Sequence, residues 1–78
     1  MNTALFKSHM AKYDDTQATL AKAMGLSPSR LNAKINESRG AAFTQTEMAF
    51  IISRYHLTND DAMNIFFNQK VALSDTLD

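Results

Sequence analysis

Apolar residues recur at helical spacing along nearly the whole chain, and no stretch alternates with the two-residue period of a half-buried strand. Leu5, Phe6, His9, Met10 and Tyr13 form an i, i+1, i+4, i+5, i+8 series, which predicts an amphipathic helix over about residues 3–13. Asp14-Asp15 ends it, because aspartate is poor in a helix interior and good in a turn. Thr16 is a natural N-cap for a second helix from Gln17 to Met24, with Leu20, Ala21 and Met24 on its apolar side. Gly25 can take the left-handed conformation that stops a helix, after which Leu26 turns inward. Ser27-Pro28 restarts the chain, serine as cap and proline at the first helical position, where its missing N–H leaves nothing unpaired. The third helix is expected to run to about Asn36.

Residues 36–44 read as a loop. Thr44 and Glu47 have the spacing of a capping box, and Phe43 and Met48 that of a hydrophobic staple. Met48, Ile51, Ile52 and Tyr55 then repeat at i, i+3, i+4, i+7. Thr58-Asn59-Asp60-Asp61 opens a fifth helix, predicted over about 59–70, with two acids set against the positive end of its dipole. Ala62, Met63, Ile65, Phe66, Phe67 and Val71 cover more than one face of that helix. Ile65, Phe66, Phe67 and Val71 are therefore expected to include a contact between two copies, with completion of a thin core by the phenylalanines as an equal alternative. The chain reads as one all-α, five-helix domain over residues 1–72, followed by a short acidic tail at 73–78.

Two short helices joined by a turn of three or four residues with glycine must cross closely to share a core. The stretch from Thr16 to Asn36 supplies a small residue, Ala21, one turn before Gly25, and apolar residues Leu20, Met24, Leu26, Leu31 and Ile35 for both inner faces. It predicts a helix-turn-helix at about residues 16–36. At about 100° per residue, with Leu31 and Ile35 inward, Ser29, Ala33, Asn36 and Glu37 lie on the far side of the third helix. Arg30 and Asn32 flank them. In helix-turn-helix proteins this helix enters the major groove N-terminus first. Ser29 and Asn32 can donate and accept at base edges, Arg30 can grip guanine, and Ala33 can touch a thymine methyl. Gln17, Lys34, Asn36 and Arg39 are expected on the phosphates, with a C-cap as an equal alternative for Asn36.

The arrangement Thr16-Gln-x-x-Leu20-Ala-x-x-x-Gly25-Leu-Ser-x-Ser-x-Leu31-Asn-x-x-Ile35-Asn resembles the small Cro- and CI-type helix-turn-helix repressors of phages, with their lambda-repressor-like fold. Phe43-Thr-Gln-Thr-Glu-Met, Arg54-Tyr-His-Leu and Ile65-Phe-Phe-Asn-Gln-Lys-Val are similar to short repressor-like proteins carried by prophages of Gram-positive bacteria, so the resemblance covers roughly residues 3–72. It implies a repressor that binds double-stranded operator DNA as a homodimer, with half-sites ~34 Å apart. Pro28 departs from the pattern, standing where many relatives carry glutamine or a similar polar residue. A separate C-terminal dimerisation domain is also missing, which places the chain nearer the Cro-like plan. An antitoxin that also clamps a protein partner, and a protein-interaction module without DNA binding, remain as alternatives.

Charge sharpens this picture. The chain is neutral overall, but residues 1–40 hold six basic and three acidic residues, a net of +3, and residues 41–78 two basic and five acidic, a net of −3. The basic half carries the helix-turn-helix. With no cysteine among 78 residues, disulfides and thiolate metal sites are excluded. His9 falls on an apolar stripe and His56 at a helix end, where a dipole contact accounts for it, so no metal site is expected. Asp14-Asp15 and Asp60-Asp61 sit at turns or caps, and two glycines cannot build a phosphate-binding loop. The sequence thus predicts no enzyme, no cofactor and no small-molecule ligand. Without an apolar run of ~20 residues or a signal-peptide stretch, it is read as a cytoplasmic, nucleoid-associated protein.

Overall fold

The computed structural model describes residues 1–67. Five α-helices follow in order: α1 Thr3–Lys12, α2 Gln17–Met24, α3 Pro28–Asn36, α4 Gln45–Arg54 and α5 Asn59–Phe66. A short 3-10 turn, Ser38–Gly40, separates α3 from α4. The described residues contain no strand, so the protein is all-α.

Each helix begins at a side chain that accepts a backbone N–H three residues on, one of the donors a helix start leaves without a partner. The caps are Asn2, Thr16, Ser27, Thr44 and Thr58. The Thr44–Glu47 box closes reciprocally, Glu47 N–H donating to Thr44 Oγ1 at 3.1 Å and Thr44 N–H to Glu47 Oε1 at 2.9 Å. Thr16 forms a box with Thr19, a pairing the sequence reading did not assign. α1 stops one residue earlier than expected, with Tyr13 as its C-cap. Phe67 is the C-cap of α5, and residues 68–70 of the longer helix expected there lie outside the described residues.

All five helices feed one core. Phe6 and Met10 come from α1, Leu20 and Ala21 from α2, Leu31 and Ile35 from α3, Ile51 from α4 and Ile65 from α5, with Phe43, Tyr55 and Leu57 from the connections. Through it runs a chain of aromatic rings. Phe66 meets Phe43 edge-on at 6.1 Å, Phe43 lies 5.9 Å from Phe6, and Phe6 meets Tyr55 edge-on at 6.3 Å. Such offset and edge contacts suit the ring quadrupoles and tie α1 to the flanks of α4 and α5. The Asn2 N–H donates to the Ile65 carbonyl at 2.7 Å, fastening the start of α1 to the end of α5.

Ile65 corrects one expectation. It is wholly buried in this core and presents nothing to a second copy. The covered residues of α5, Ala62, Ile65 and Phe66, share one side of the helix, while Met63 and Phe67 stay exposed.

Candidate nucleic-acid interface

The helix-turn-helix is built by local chemistry. Gly25 sits at φ +71°, where its N–H reaches back to the carbonyls of Ala21 and Lys22, and the Leu26 N–H donates to the Ala21 carbonyl at 2.9 Å. A Cβ at Gly25 would meet nothing within 4 Å, so glycine is required for its backbone angle and not for space. Ser27 caps α3 by accepting the Arg30 N–H at 3.2 Å, with Pro28 in the first turn. Ala21 is almost fully buried, the small side chain that close crossing of α2 and α3 requires.

α3 is sharply two-faced. Leu31 and Ile35 are 0% and 1% exposed, whereas Pro28, Ser29, Arg30, Asn32 and Asn36 are exposed. Of the four residues expected to read bases, Ser29, Arg30 and Asn32 therefore stand on the solvent face of one nine-residue helix, and Ala33 is half-buried. Asn36 Nδ2 donates to Asn32 Oδ1 at 3.1 Å. That bond orients the Asn32 amide and leaves its two N–H donors and one oxygen lone pair outward.

The residues expected on phosphates divide. Arg39 is exposed, in the turn just after α3, and Gln17 is half-buried at the first position of α2. Asn36 is held by Asn32 and is not the C-cap of α3; Glu37 takes that role at φ +53°. Lys34 is a correction. Its ammonium donates to Glu47 Oε1 at 3.0 Å and to the Ala42 carbonyl at 3.2 Å, and its side chain is only 12% exposed. It fastens α3 to the start of α4, and a phosphate would have to displace both partners. Burial works against the Glu47 charge, but the Thr44 backbone N–H and the Lys34 ammonium outweigh it and hold the carboxyl below its ordinary range.

The ion pairs among the described residues are Met1 α-amino with Glu37, Lys34 with Glu47 and Arg54 with Asp15. None of them engages Arg30, Arg39 or Lys22, so among the described residues these cations have no acid within ion-pair distance. Glu37, the C-cap of α3, is partly neutralised by the Met1 α-amino group at 2.9 Å.

Behind the motif lies a cluster the sequence did not reveal. Asp15 accepts from Arg54 Nε at 2.7 Å and Nη2 at 2.9 Å, from Tyr55 Oη at 2.7 Å and from Thr19 Oγ1 at 2.9 Å. The bidentate Arg54 fork, aided by the two hydroxyl donors, pulls the Asp15 carboxyl far below the usual carboxylate range. Burial, and then its bond to Asp15, pushes the Tyr55 phenol well above its own range. The cluster locks the start of α2 to the end of α4. The Asp15 side chain is 7% exposed and points away from solvent, so its role is structural. Adjacent Asp14 is exposed, so the two carboxylates do not form a pair that shares a site.

The two histidines are also placed. His9 is half-buried, and its Nδ1 has no hydrogen-bond partner. His56 follows the end of α4 at φ +50°, its ring 6.0 Å from that of Tyr13. Among the described residues no group of three or more His, Cys, Asp or Glu could hold a metal ion. No helix there is long and apolar enough to cross a membrane. Comparison with known proteins returns no match, whether to family models, to curated proteins or to solved structures.

Proposed function

We propose that this protein is a sequence-specific, double-stranded-DNA-binding transcriptional regulator of the Cro and CI kind it resembles, with α3 as the recognition helix. The observation that carries the reading is the solvent face of α3. Ser29, Arg30 and Asn32 project together from a helix whose other face, Leu31 and Ile35, is anchored in the core. Those three side chains carry the donors and acceptors that distinguish base pairs in the major groove, arginine with guanine and asparagine with adenine giving two-bond pairings. The rigid seat of α3 matters equally, since the helix is fixed by the Gly25 turn, the Ser27 cap and the Lys34–Glu47 bridge. Arg39 and Gln17, at the two edges of the motif, supply phosphate contacts that set register. Binding over a promoter represses by excluding polymerase.

Selection from a random duplex library at ~0.15 M salt, with sequencing of the retained fraction, tests the proposal, because the sequence-independent phosphate term is weakened at that salt. An enriched motif is expected, and a palindrome would give the half-site spacing of a dimer. Arg30→Ala should then weaken the enriched site by about 1–3 kcal/mol and relax selection at one base pair. Retention without enrichment would overturn sequence-specific recognition. Equal weakening on every sequence would move Arg30 to the phosphates.

A further inference from the structure

Two exposed asparagines, one turn apart on α3, are bonded to each other. Asn36 is the last residue of α3 and Asn32 precedes it at the i, i+4 spacing that brings two side chains together on one helix face. The bond has a direction: Asn36 Nδ2 donates to Asn32 Oδ1 at 3.1 Å. It draws the Asn32 oxygen toward the C-terminal end of α3 and turns the Asn32 NH2 group away from it.

That direction matters because an asparagine amide reads adenine in one sense only. Its oxygen must accept from the adenine N6–H while its nitrogen donates to N7. The two ends of the amide are nearly the same size, so a free side chain presents either end. The reversed sense sets N–H against N–H and oxygen against N7. Once Asn36 is bonded, Asn32 keeps both N–H donors and one oxygen lone pair, the set that the contact with adenine uses. In water such a pair biases the amide by about twofold. DNA seated on the face displaces that water, and the bond strengthens where solvent no longer competes. Asn36 itself lies about 6 Å farther along the axis, behind the N-terminal residues that enter the groove first.

Resting on the reading of α3 as a DNA-recognition helix, we propose that Asn36 is a positioning residue: its bond to Asn32 presets the sense of the Asn32 amide, so that Asn32 selects adenine at one base pair. This role differs from both the phosphate contact and the C-cap expected from the sequence.

The test uses the full chain, the duplex it enriches from the random library, and every single-base-pair variant of that duplex, compared by competition in fluorescence anisotropy. Asn32→Ala locates the base pair, lowering its adenine preference by roughly tenfold or more. Asn36→Ala should lower the preference at that same base pair, and at no other, by about two- to fivefold. Asn36→Asp can only accept, so it draws the Asn32 NH2 group round and should lower the preference further than Asn36→Ala does. A purely structural role for Asn36 would weaken every duplex alike and leave each preference unchanged. An unaltered preference in Asn36→Ala, where Asn32→Ala flattens it, would overturn the proposal and leave α3 as the reading helix. So would uniform weakening, or a full adenine preference in Asn36→Asp, which would give the pair the opposite sense. Loss of preference for a base other than adenine in Asn32→Ala would also overturn it. If Asn32→Ala flattens no base pair, the proposal falls and recognition rests on Ser29 and Arg30. A library that yields no enriched duplex removes the recognition reading and the proposal together.

Discussion

Asp15→Asn tests whether one buried carboxylate holds α2 to α4. The substitution keeps the shape of the side chain but removes its charge and turns one acceptor into a donor, which must face the Arg54 guanidinium, the Tyr55 hydroxyl or the Thr19 hydroxyl. Hydrogen bonds to a charged group contribute roughly 1.5–3 kcal/mol each, but the Arg54 side chain is 33% exposed, so water replaces part of its loss. Tyr55 is 1% exposed, and a buried hydroxyl left without its partner costs about 1–3 kcal/mol. Together these give about 2–4 kcal/mol, a large share of the ~4–12 kcal/mol that a domain of 78 residues has in total. Urea denaturation at pH 7 reads it, the midpoint falling by roughly 2–4 M for a slope near ~1 kcal/mol/M.

The pH dependence supplies an independent check. Folding lowers the Asp15 pKa, through the Arg54 fork first, below the ~3.9 of an unfolded aspartate. Its contribution is therefore complete above the unfolded value and is lost as pH falls from ~4 toward the much lower folded value. The gap between the native protein and Asp15→Asn should be constant from pH 7 to ~5 and narrow as pH falls below ~4. A gap under about 0.5 kcal/mol, the range of ordinary surface substitutions, would refute the reasoning. So would a gap that stays the same down to pH ~2.5.

Lys34→Ala should cost roughly 1–2 kcal/mol in the same urea assay, because it leaves Glu47 without its ammonium, and should leave DNA affinity within about twofold well below Tm. A tenfold loss of affinity at unchanged stability would return Lys34 to the phosphates. Gly25→Ala should destabilise by about 1 kcal/mol and Gly25→Asn by less, since the only obstacle is φ +71°; equal stability of all three would remove the backbone argument. Thr44→Ala should cost about 1 kcal/mol by opening the capping box of α4, read as earlier thermal unfolding by circular dichroism. An unchanged Tm would mean that water caps the helix as well.

How much was legible in the residues follows from the range of each interaction. The starts of α2, α3, α4 and α5 were readable because Thr16, Ser27, Thr44 and Thr58 each bond a backbone N–H only three residues on. The stop at Gly25 was readable for the same reason, and the two faces of α3 followed from helical periodicity once Leu31 and Ile35 were taken as inward. Such signals are complete within one or two turns, so they survive without knowledge of the rest of the fold. The fate of Lys34 was not readable, because its partner Glu47 is 13 residues away and arrives only when α4 docks. Neither was the Asp15–Arg54 fork, whose members are 39 residues apart and look like an ordinary turn aspartate and an ordinary surface arginine. The burial of Ile65 also had no local signature, since an apolar arc shows which side chains avoid water but not which body covers them. Local hydrogen bonding and periodicity thus established the helices and the outward face of α3, while the long-range approach of charged and apolar groups decided which side chains remain available for binding.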